Sequence, residues 1–96
     1  MRLAGSHSAP RPAVLMYFGR LSEFLSMTSE QVAVTDAPDT LGQLLQRLRC
    51  RGGAWAYELD ERQVLLTVDG RYARPSERIQ PGAEIGLHSR RSIFEA

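Results

Sequence analysis

The sequence predicts an α+β domain in which one long helix crosses one face of a mixed sheet of four to five strands. Three observations predict it. Leu41, Leu44, Leu45 and Leu48 recur at i, i+3, i+4 and i+7 behind a Thr40-x-x-Gln43 capping box, the pattern of an amphipathic helix. Apolar runs at 14–18, 63–68 and 83–88 have the length and the β-branched content of strands. Asp69-Gly70 and Pro81-Gly82 are turn dipeptides that separate strand-like segments. With 96 residues, 43% hydrophobic and 24% charged, the chain suffices for one core and is too apolar for disorder.

Taken in order, residues 1–12 combine Gly, Ser, Pro and Arg with little apolar content and read as a flexible leader outside the fold. Val14 to Phe18 reads as a buried first strand stopped by Gly19, and Leu21, Phe24 and Leu25 form the stripe of a short helix. Residues 30–35 alternate, with Val32 and Val34 on one face, and should return antiparallel onto strand one. The long helix is expected over 40–51, closed by Gly52-Gly53, with Arg47, Arg49 and Arg51 near its negative end. Ala54 to Leu59 is placed as a helical turn over an open end of the sheet, and Gln63 to Val68 as a strand. Asp69-Gly70 then makes a type I′ turn into a short return strand at 71–73, and Pro81-Gly82 a type II turn into the last strand, 83–88. The first and last strands are both apolar-rich, so they belong side by side and parallel in the centre. This arrangement is a β-grasp.

Composition excludes several functions. A formal net charge of +1 gives no field to hold nucleic acid or an anionic membrane, although His88, Arg90 and Arg91 make a small basic spot. All twelve basic residues are Arg, a bias that fits a GC-rich bacterial genome; without Lys there is no side-chain Schiff base or lysine general base. The single Cys50 cannot form an intramolecular disulfide and no Cys/His cluster has metal spacing, so neither a metal nor a cofactor site is expected. No apolar run is long enough to span a bilayer, and a cytoplasmic location is expected. His7 lies in the leader and His88 has no catalytic neighbour in sequence, which argues against an autonomous enzyme. Cys50 is expected to be a buried filler, Trp55 and Tyr57 core-edge packing, and Asp60-Glu61-Arg62 a solvated loop in which Glu58, Asp60 and Glu61 form no metal site.

Three stretches carry a family resemblance: Val14-Leu15-Met16-Tyr17-Phe18-Gly19-Arg20-Leu21-Ser22-Glu23-Phe24-Leu25, Thr40-Leu41-Gly42-Gln43-Leu44-Leu45, and Val64 to Gly70 followed by Ile79-Gln80-Pro81-Gly82-Ala83-Glu84-Ile85. In order and spacing over 13–88, they resemble the small sulfur carriers of the MoaD/ThiS family, the molybdopterin synthase small subunit and its thiamine-pathway relative. The resemblance implies a ubiquitin-like β-grasp fold. It also implies partners: an ATP-dependent activating enzyme and a molybdopterin synthase large subunit-like protein.

Such carriers are loaded with sulfur on a terminal Gly-Gly, which threads a channel with no room for a Cβ. Here Ile93-Phe94 stands in the place of the glycines, Glu95-Ala96 follows, and no Gly-Gly occurs after residue 53. Residues 89–96 are therefore expected to be a divergent tail. The expected function is that of a protein-interaction subunit without sulfur transfer, the alternative being a working small subunit of molybdopterin synthase. The candidate partner interface, for such a partner or a second copy of the chain, is Tyr17, Leu65, Leu87, His88, Arg90, Arg91, Ile93 and Phe94, with Phe94 as anchor and the arginines on the rim.

Overall fold

The structure, a computed structural model, describes residues 11–33 and 39–90 of the chain. Eight elements follow one another: β1 (Ala13–Tyr17), α1 (Arg20–Leu25), β2 (Ser29–Val32), α2 (Leu41–Arg49), α3 (Ala54–Glu58), β3 (Val64–Val68), β4 (Arg71–Ala73) and β5 (Glu84–Ser89). The strands form one sheet in the order β2-β1-β5-β3-β4. β1 and β5 run parallel in the centre, as expected of two strands of high apolar content, and every other pairing is antiparallel. This is the β-grasp arrangement.

Local chemistry explains the elements. The Thr40 hydroxyl accepts from the Gln43 N–H at 3.2 Å while the Thr40 N–H donates to Gln43 Oε1 at 3.2 Å, so two amides that the helix leaves unpaired are satisfied. Leu41, Leu44, Leu45 and Leu48 all point into the sheet and are buried. Asp69 and Gly70 both take positive φ, 50° and 87°, as the type I′ turn requires. Gly82 at φ 74° lets the Ala83 N–H close back on the Gln80 carbonyl at 3.2 Å, which is the type II turn.

Several expectations need correction. The long helix expected over 40–51 is shorter: α2 spans nine residues, and the short α3 packs against both α1 and α2. β2 covers 29–32 instead of 30–35, and Val34 lies outside the described residues. β5 runs to Ser89, one residue further than expected, because Ser89 pairs with Val64. β1 is not buried on both faces. Ala13, Leu15 and Tyr17 face the helices and are buried, whereas Phe18 is exposed.

Cys50 is exposed rather than a core filler. It caps α2 two residues beyond Leu48, which at about 100° per residue turns it to the side opposite the leucine stripe. Tyr57, 68% exposed, is not core-edge packing for the same reason: it lies two residues from Trp55, which does pack against the core.

Candidate functional site

Among the described residues, the helices cover one face of the sheet and leave the other open. Strand alternation sends Val14 and Met16 from β1, Leu65 and Thr67 from β3, and Glu84, Gly86 and His88 from β5 to that open face. Registry then assembles two rows across it. Met16 pairs with Gly86, Gly86 with Thr67, and Thr67 with Tyr72, which is 73% exposed. Leu65 pairs with His88, and Phe18, just past β1, stacks on the His88 imidazole with ring centroids 4.5 Å apart and planes 8° from parallel. His88 Nε2 lies 3.3 Å from Thr67 Oγ1.

Gly86 sits beneath this cluster. A Cβ there would run into Thr67 Oγ1 and approach His88 Nε2 and Phe18 Cε2 to 3.1 Å each, so the close convergence of these groups depends on the absence of a side chain. What remains above Gly86 is a groove of about 220 Å³, walled by Met16, Phe18, Thr67 and His88 and bounded by Gly70 and Glu84. Partial burial lowers the His88 pKa below the ordinary histidine value, because the charged imidazolium loses solvent there.

Under the helices a second cluster closes the β2 edge. The Tyr17 hydroxyl donates to Glu30 Oε2 at 2.7 Å, and Arg51 grips the same carboxylate through both terminal nitrogens at 2.8 and 2.9 Å. The Arg51 guanidinium lies 4.4 Å from the centre of the Trp55 ring, and Trp55 meets Tyr17 edge-to-face at 5.5 Å. The Arg51 hydrogen bonds hold Glu30 below the usual carboxylate pKa, while burial first and Glu30 second raise that of Tyr17. With the Glu30 carboxylate held by Tyr17 and Arg51 and the rings packed edge-to-face, this cluster is built for structure.

The predicted interface residues divide accordingly. Leu65 and His88 do lie together on the open face. Tyr17 and Leu87 do not: they are 3% and 1% exposed on the helix side, because odd positions of β1 and β5 face the core. Arg90 is exposed and anchored by its N–H to the Gln63 carbonyl at 2.8 Å. Arg91, Ile93 and Phe94 lie outside the described residues. Met16, Phe18, Thr67 and Glu84 were missed; the alternation of 14–18 carries the signal for the first two, but only pairing across strands reveals the other two. In the loop after α3, Asp60 engages Arg62 at 3.1 Å and Arg49 at 3.9 Å. No cluster of three or more metal-ligating side chains occurs among the described residues. Nor is any helix among them long and apolar enough to cross a membrane.

The ThiS family model matches residues 15–87, which takes in all three helices, β2, β3 and β4, and most of β1 and β5. The chain belongs to the ThiS family. Solved structures agree with this ThiS-family fold. A Pyrococcus furiosus protein described as molybdopterin converting factor subunit 1 superposes with a TM-score of 0.66 at 20% identity, over 82% of this chain and 97% of that one. Small archaeal modifier protein 1 (SAMP1) of Haloferax volcanii gives 0.65 at 20%, over 81% and 93%. The HVO 2177 protein of the same organism gives 0.67 at 17%, over 91% and 90%. No curated protein matches the chain significantly. At these identities the structural likeness speaks for the ubiquitin-like β-grasp fold, and the family match for a small sulfur-carrier type of protein.

Proposed function

We propose that this ThiS-family protein works as a protein-interaction subunit, related to the small subunit of molybdopterin synthase, that docks through its open sheet face and carries no sulfur. The observation that carries the docking half is the Phe18–His88–Leu65 row beside Met16 and Tyr72: a contiguous, partly apolar surface that no helix covers among the described residues. Leu65, His88 and Arg90 remain its proposed contacts from the sequence, joined by Phe18 and Met16. Phe94 is proposed as an anchor on the partner, with Arg91 and Ile93 beside it. The half concerning sulfur rests on Ile93-Phe94 standing where the carriers have glycines. Side chains there would obstruct a channel shaped for backbone alone.

Incubation with a carrier-activating enzyme and ATP, read by intact-mass spectrometry, tests the loss of sulfur transfer. The expected result is an unchanged mass. An adenylate or thiocarboxylate on this chain would overturn it and leave the alternative, a working sulfur-carrying small subunit of the kind named for the Pyrococcus furiosus neighbour. Light scattering with and without a molybdopterin synthase large subunit tests the docking surface, comparing the natural chain with Phe18→Ala and Phe94→Ala. A complex weakened by either change supports the proposal; no complex and no self-association would remove it.

A further inference from the structure

The groove over Gly86 has a chemical polarity. One end is apolar and flat, made by the stacked Phe18 and His88 rings with Met16 alongside. The other end is acidic: Glu84 lines it, and Asp69 sits on the same rung, its Oδ1 accepting the Glu84 N–H at 2.9 Å. Thr67 Oγ1 stands between the two ends. At about 220 Å³ the space is below the roughly 300–1,000 Å³ of pockets for drug-sized ligands, so it suits one large side chain.

We propose that this groove receives an arginine side chain from a partner protein, its aliphatic stem along Met16 and Phe18 and its guanidinium at the Glu84 carboxylate. The proposal rests on the open face being the docking surface and names the chemistry of what docks there. Charge decides the occupant. An anionic group would meet Glu84 and Asp69, and a purely apolar anchor would cover the Glu84 carboxylate without a counter-charge. An arginine satisfies both ends, because its apolar stem packs along the ring and thioether while its guanidinium fork donates to the carboxylate. Partial burial disfavours the charged form of His88, which works against a competing positive charge in the groove.

The experiment is a titration of the ¹⁵N-labelled full chain with acetyl-Gly-Arg-Gly-amide, and with the same peptide carrying citrulline, the neutral isostere of arginine. Shifts should concentrate at the amides of Thr67, Glu84, Gly86 and His88. The citrulline peptide should bind about two- to fivefold more weakly, as loss of one solvent-exposed ion pair implies. Glu84→Gln, a surface change with no core contact to lose, should abolish that preference. Equal binding of the two peptides, no shift at the groove, or a preference that survives Glu84→Gln would each overturn the arginine assignment. Docking is separated from it by measuring partner binding in parallel. A partner weakened by Phe18→Ala but indifferent to Glu84→Gln refutes the arginine and keeps the docking face, whereas indifference to both refutes the face.

Discussion

Replacing Leu44 by alanine removes a side chain that is 3% exposed, at the centre of the α2 stripe, with Leu41, Leu45 and Leu48 around it. The loss has two parts. Three buried carbons at about 0.8 kcal/mol each are worth about 2.4 kcal/mol of transfer free energy. A hole of about 50 Å³ left unfilled adds about 1.2 kcal/mol, at about 24 cal/mol per Å³. The sum, about 3–4 kcal/mol, is a large share of the roughly 5–15 kcal/mol by which a domain is stable. Urea denaturation followed by circular dichroism should show the midpoint falling with an unchanged slope. Gln46→Ala, on the exposed side of the same helix, should cost less than about 0.5 kcal/mol. A Leu44→Ala loss below about 0.5 kcal/mol, or one no larger than that of Gln46→Ala, would refute α2 as the clamp on the sheet.

Gly86→Ala should destabilise by about 1–3 kcal/mol, since its methyl group runs into Thr67 Oγ1; denaturation of Gly86→Ala with and without Thr67→Ala should show the second change recovering much of the loss, and strictly additive effects would count against the clash. Glu30, with its folded pKa lowered chiefly by Arg51, contributes stability that is present above its unfolded pKa and lost as pH falls through the folded value; Glu30→Gln should flatten the thermal stability profile in that acidic window. The natural chain and Glu30→Gln losing stability in parallel there would disprove the link. His88 also has a lowered folded pKa, so the neutral form is the one the fold favours and its contribution is complete above the unfolded value, then lost as pH falls through the folded one. An imidazole NMR titration should give a midpoint below that of a histidine in a short peptide, and a midpoint above it would show that the Phe18 stack does not desolvate the ring.

Much of the fold was legible from short-range rules. The Thr40–Gln43 box, the leucine stripe, the positive-φ turn at Asp69-Gly70 and the turn at Pro81-Gly82 all formed where the residues implied, because each is satisfied within a few residues of chain. The errors share one cause. Tyr17 and Leu87 look in sequence like any aromatic or aliphatic residue of an apolar strand, and composition does not say which side of the sheet is covered. Cys50 and Tyr57 sit close to buried neighbours in sequence yet turn away from them around a helix.

The sequence by itself determined the order of elements, their turns and caps, and the parallel pairing expected of the two apolar strands, since local hydrogen bonding and periodicity decide these. Only the tertiary structure decided which side chains share the open face. Met16, Gly86, Thr67 and Tyr72 form one row because three separate strand registers align them, and Phe18 reaches His88 because β1 and β5 run side by side. The groove between Glu84 and His88 exists because neighbouring strands carry side chains over a glycine, a property of the assembled sheet that no single segment contains.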